Sequence, residues 1–264
     1  MFLPLTGRLV EHYGWRGTLL ILAAIHAVLT VPLHAIAVRQ APQRQQPPAT
    51  APPIPVRTVV TDPGFWLLTV SFTANTAAVA VVTVHLVAAL TAWGHPAVFA
   101  ATVAGLFGVL SVTGRLVTTG LQHRYRTTSI VAAIFAVQGI AAATLPVLGR
   151  NTVAAVIAVT GFGLGFGVAT IAKPALLADR YDTRRYATIA GLVVVPSTIA
   201  KAAAPLAAAW LHGATHGYGG VFAATALACL IAAAALIALP ATATLQAADD
   251  SGLPVSASHG GHHQ

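Results

Sequence analysis

The sequence predicts an all-α, polytopic membrane protein with about seven transmembrane helices. Three observations carry this expectation. Hydrophobic residues make up 56% of the chain and charged residues only 8%, whereas a soluble domain carries about 25% charge. The mean hydropathy is +0.78, so too little polar surface exists to wet a soluble fold. The apolar residues also gather into seven runs, each near or above the ~20 residues that cross a hydrocarbon core about 30 Å thick.

The first run covers residues 17–38 and contains His26 and His34, both read as structural. Residues 39–62, within RQAPQRQQPPATAPPIPVRTVVTDPG, are rich in Pro and Gln and offer little to bury. They are expected to form an extended, solvated linker. Six further runs follow at 64–90, 96–121, 128–148, 152–178, 186–212 and 218–239, and a polar tail at 242–264 is expected to be disordered. Length and the richness in Ala and Leu favour helices, and no run shows the two-residue alternation of a barrel strand. MFLPLTGRLVEHYGWRG lacks the basic start and long apolar core of a secretory signal.

Basic residues orient these runs. Arg39, Arg44, Arg57, Arg124, Arg126, Arg180, Arg184 and Arg185 fall in alternate gaps, whereas the intervening gaps hold only Arg150. The rule that cationic loops stay inside places the linker and the C-terminus in the cytoplasm, in an inner or plasma membrane. Arg8 and Arg16 flank the first outer segment and weaken this count without reversing it. The net charge of +8 therefore reflects topology, and nucleic acid is excluded as a partner. Cys229 lies alone in an apolar run, where packing is its expected role.

Several polar groups fall at membrane depth. Lys201 is near the middle of its run, where an amine costs about 2.5–3.5 kcal/mol unless it faces protein or water. Ser197, Lys201 and Pro205 are four residues apart and share one stripe of that helix. Two readings stand: substrate contact, or a lysine bonded to carbonyls of a neighbouring helix. Lys173 lies closer to a span end, within reach of snorkelling. At about 100° per residue, Ser71, Asn75, Ala78, Val82 and His85 form one face of the run at 64–90, with Asn75 and His85 about 15 Å apart along the axis. That face is either a cavity lining or a seam of interhelical hydrogen bonds.

GFGLGFG at 161–167 is not a nucleotide loop, because no strand precedes it and no GK[ST] follows. Its overlapping GxxxG pairs predict close helix packing, with flexing as the functional version of the same feature. The carboxylates are Glu11, Asp62, Asp179, Asp182, Asp249 and Asp250, and none lies deep in a run. Histidines are then the groups left for proton relay. There is no Ser/His/Asp set, metal-ligand spacing or paired acids, so the sequence supports no enzyme, metal or cofactor. A retinal protein is disfavoured by the missing intramembrane counter-ion and by Lys201 lying in the sixth run.

GRLVTTGLQHR at 114–124 resembles the loop motif of the major facilitator superfamily, in which a Gly-Arg pair is followed by a second glycine and by Asp-Arg. Gly114, Arg115, Gly120 and Arg124 match, and His123 stands where the acid is expected. YGWRG resembles the turn between the family's fifth and sixth helices. FWLLTVSFT with VHLVAALTAWG resembles the seventh helix of the monocarboxylate and oxalate–formate branch. KPALLADRYDTRRYATIAG resembles the tenth-to-eleventh connection, and APLAAAWLHGATHGYGGVF resembles the exit of helix eleven and the start of helix twelve.

The resemblance covers nearly the whole chain and implies helices six to twelve of a twelve-helix transporter. Residues 1–38 would hold the end of helix five and helix six, 39–62 the central linker, 63–241 the six-helix C-terminal half and 242–264 the tail. It further implies alternating access between two halves, a gate loop at Gly114, Arg115, Gly120 and Arg124, and substrate contact at Lys201, Asn75 and His85. Gln138 is discounted because its helix is peripheral in the family. A mid-membrane cation suits a small organic anion, and the lipid bilayer and a separate polypeptide supplying the other half are the implied partners. The alternative is a non-transporting membrane protein, with a structural or interaction role or as an inert remnant of a truncated transporter gene.

Overall fold

The computed structural model describes residues 2–40, 56–181 and 186–240. Among them the secondary structure is helical, with no strand. The chain divides into two compact units, Met1–Pro52 and Pro53–Gln264.

The first unit contains α1, Phe2–Gln40. Gly14 interrupts it with φ 64° and ψ 174°, a left-handed backbone that a β carbon disfavours. The Thr18 hydroxyl donates to the Gly14 carbonyl at 2.8 Å and so satisfies a group released by the kink. The membrane-length stretch is His12–Ile36, which begins before the sequence-based start at residue 17.

The second unit begins with α2, Val56–Thr61, and α3, Pro63–Ala92. The end of the expected extended linker is thus helical. Val59 is buried in the core, and the Trp66 indole donates to the Val60 carbonyl at 2.8 Å. Residues 41–55 of the linker and the tail at 241–264 lie outside the described residues. Asp62 caps α3 by accepting from the Gly64 amide at 2.9 Å, with Pro63 in the first turn, where no N–H is required.

The remaining helices are α4 (Ala97–Leu121), α5 (Thr127–Leu148), α6 (Thr152–Leu164), α7 (Val168–Arg180), α8 (Tyr186–Thr215) and α9 (Gly219–Ile237). Together α6 and α7 form one span, Thr152–Arg180, and among the described residues seven helices are long and apolar enough to cross a membrane. The spans of the second unit run alternately up and down. One end gathers Arg126 and Arg180 with the start of α5 and the end of α9; this is the basic end. At the other end the His95 ring donates to the Gly149 carbonyl at 2.6 Å, tying two connections together.

Two apolar clusters fill the interior. Near the basic end Phe65, Leu68, Phe72, Phe135, Leu177, Ile189 and Leu236 pack together, with Phe72 and Phe135 edge to face at 6.2 Å. Farther along, Leu86, Leu90, Phe107, Leu145, Phe162 and Phe222 form the second cluster. Helix α3 packs on α4, α8 and α9, and α5 packs on α6 and α9. The outward residues are apolar too: Val98, Val109, Val147, Trp210 and Ile237 are exposed, as a lipid-facing surface requires.

Lipid removes most of the solvent driving force for burial, so packing itself holds such a bundle. Phe135→Ala, at a fully buried position, should therefore lower stability by about 2 kcal/mol through lost contacts and a residual cavity. Thermal unfolding in detergent, followed by near-UV circular dichroism, checks this.

Candidate functional site

Helix α8 carries Pro196 and Pro205. Pro205 has no N–H, so it gives no helix hydrogen bond back to the Lys201 carbonyl. The Lys201 side chain is exposed. One turn earlier, the buried Ser197 hydroxyl bonds the Val193 carbonyl at 2.9 Å and lies 3.2 Å from the Thr73 hydroxyl of α3. Lys201, Ser197 and Thr73 thus place a cation and two hydroxyls where α3 meets α8. Thr73 had no distinguishing sequence signal, since threonines recur throughout the spans.

Asn75 and His85 each bond a neighbouring helix. Asn75 is buried, and its amide donates to the Gln138 side-chain oxygen of α5 at 2.8 Å. Gln138 in turn donates to the Phe162 carbonyl of α6 at 3.0 Å. His85 donates from Nε2 to the Pro205 carbonyl at 3.1 Å, and Ser71 donates to the Ala232 carbonyl of α9 at 2.8 Å. The polar face of α3 is therefore a set of interhelical hydrogen bonds. Gln138, discounted as peripheral, is fully buried within it. An apolar cavity of about 200 Å³ between α3, α8 and α9 is lined by Ala77, Val81, Ala204, Ala208 and Leu211, and by none of Lys201, Asn75 or His85.

The GFGLGFG stretch is not one continuous helix. The turn at 165–167 separates α6 from α7. Phe166 N–H bonds the Gly163 carbonyl at 3.0 Å instead of reaching Phe162. The glycines admit neighbours as well: a β carbon on Gly163 would lie 2.6 Å from Leu110, and one on Gly165 would collide with the Gln138 amide.

Gly114 meets the same break from α4. The Leu164 carbonyl oxygen occupies the place a β carbon on Gly114 would take, and Arg115 Nε would lie 2.8 Å from a β carbon on Gly167. Two of the four motif residues thus sit against the break. Gly120 has open space around it, and Arg124 and His123 are exposed at the basic end.

A third feature, unforeseen from the sequence, ties the basic end together. Asp62 accepts from Arg180 Nε at 2.9 Å, from Arg180 Nη2 at 3.1 Å and from the Tyr181 hydroxyl at 2.6 Å. Arg180 also donates to the Pro240 carbonyl at 3.3 Å, so the start of α3, the end of α7 and the exit of α9 share one cluster. Burial disfavours the Asp62 carboxylate, but bonds from Arg180, Tyr181 and the Gly64 amide outweigh it and hold its pKa at about 2. Burial, then the bond to Asp62, pushes the Tyr181 phenol well above its usual range, so it remains a donor.

The described residues thus form a polytopic helical membrane protein with seven membrane-length helices, one of them interrupted. The sequence profile of the Major Facilitator Superfamily matches residues 1–195, and the chain belongs to that family of membrane transporters. Comparison with curated proteins gave no match.

Two outcomes follow. Because the folded pKa of Asp62 lies below its ordinary 3.8, its stabilisation is complete above pH ~4 and is lost as pH falls through about 2. That loss, screened by solvent, is about 1 kcal/mol, and Asp62→Asn should flatten the corresponding acid limb of a melting-temperature profile. Gly114→Leu should displace the Leu164 carbonyl and lower the melting temperature, while Gly120→Leu, with open space, should leave it within about 0.5 kcal/mol of wild type.

Proposed function

We propose that the second unit is the C-terminal half of a secondary transporter that moves a small organic anion by alternating access. Residues 1–38 correspond on this reading to the end of helix five and helix six. The linker and C-terminus lie in the cytoplasm, and the bilayer is a plasma or inner membrane. The first half comes from a second polypeptide or from a longer form of this one, and the transport path forms between the halves.

The observation that carries this reading is Lys201, an exposed cation at the middle of a span, one helical turn from the Ser197 that meets Thr73. An ammonium at that depth is costly unless it meets water, protein or an anion. A small carboxylate would accept from the Lys201 ammonium, replacing water with a charge-assisted bond. Asn75 and His85 frame this contact by holding α3 against α5 and α8. Gly114 and Arg115 serve the gate by seating the α6–α7 break, with Gly120 and Arg124 completing the loop.

The test is ligand-dependent stabilisation of the purified chain across a panel of small carboxylates. A ligand at 100 times its Kd should stabilise wild type by about 2.7 kcal/mol. Lys201→Ala should remove that shift while leaving the ligand-free melting temperature and membrane level unchanged, and Lys201→Arg should retain part of it. A collapsed membrane level for Lys201→Ala would assign the lysine to structure. No carboxylate response in wild type would favour a non-transporting membrane role. In liposomes the chain without a first half should show no saturable uptake above empty vesicles.

A further inference from the structure

Two donors compete for one carbonyl at the break in the sixth span. In an uninterrupted helix the Phe166 N–H would bond the Phe162 oxygen. Here Phe166 bonds Gly163 at 3.0 Å, and the Phe162 oxygen accepts instead from the Gly165 amide at 3.2 Å and from Gln138 Nε2 at 3.0 Å. The Gly165 amide keeps the Phe162 oxygen bonded within the span, and Gln138 adds a second donor to it from α5. The Gln138 amide fits because position 165 has no β carbon. Its oxygen is held by Asn75 of α3 at 2.8 Å, which fixes the orientation of the donating nitrogen.

We propose that Gln138 is a positioning residue that clasps the broken span, and that Asn75–Gln138–Phe162 couples α3 to the angle between α6 and α7. When the clasp lets go, Phe166 N–H takes the Phe162 oxygen and the α-helical ladder continues across residues 165–167. The same chain of bonds then transmits a displacement of α3, which carries Thr73 beside Ser197, to the segment seated against Gly114 and Arg115. The clasp rests on the transport reading only for its place in a cycle. Its test uses neither substrate nor uptake, so failure of one is seen separately from failure of the other.

The experiment measures the distance across the break by electron–electron resonance between spin labels at Ile157 and Ala178, both exposed, on a Cys229→Ala background. Gln138→Met keeps length and volume but removes both hydrogen bonds. Gly165→Ala keeps every bonding group but places a methyl where the amide sits, and position 165 has an ordinary helical backbone, φ −81° and ψ −11°. Both variants should shift the label distance away from the wild-type value to about 31 Å, the axial length that 21 residues of continuous helix span at 1.5 Å each. A wild-type distance in either folded variant overturns the proposal. Loss of folded protein in both overturns it too, because the amide would then serve stability alone.

Discussion

A hydrocarbon core offers no hydrogen bonds, so every backbone carbonyl of a span needs a donor from within the protein. Continuous helices meet that demand by themselves. The span from Thr152 to Arg180 does not, because its ladder breaks at residues 165–167. Much of the second unit's polar architecture answers this break. Gln138 reaches the Phe162 carbonyl, Asn75 holds Gln138, and Gly114 leaves room for the Leu164 carbonyl. A buried amide is costly when partly bonded; here both ends of Gln138 are engaged, and α3, α5 and α6 are set relative to one another.

The prolines of α8 show the same constraint resolved differently. Pro196 and Pro205 remove two donors without breaking the helix. The Pro205 carbonyl is taken up by His85, while the Lys201 residue is exposed. Polar character therefore collects on α8 in two places with different fates. Towards His85 it is consumed in packing, and at Lys201 the side chain is exposed.

The basic end is organised by charge. One carboxylate, Asp62, engages two side chains and a backbone amide, and it brings the starts and ends of three spans to one point. It forms the only salt bridge among the described residues. Arg124 and Arg126, both exposed, remain available to orient the chain in the membrane. The loop motif's missing acid, with His123 in its place, leaves this cluster as the described carboxylate anchor of that end.

The sequence by itself determined the spans. Hydropathy measures transfer cost residue by residue, so a run predicted at 128–148 appears as Thr127–Leu148 and one at 96–121 as Ala97–Leu121. It also marked Lys201, whose cost at mid-depth needs no knowledge of neighbours, and the Gly-Arg motif that carries the family resemblance. It did not show that GFGLGFG breaks its helix, since glycines suit close packing and interruption equally well. Nor did it show that Asn75 turns to Gln138, that Thr73 stands beside Ser197, or that Asp62 finds Arg180. Those pairings join residues separated by 63, 124 and 118 positions, and only the packing of the helices decides which side chains meet. Transfer energy is a property of each residue, whereas the satisfaction of a buried polar group belongs to a pair.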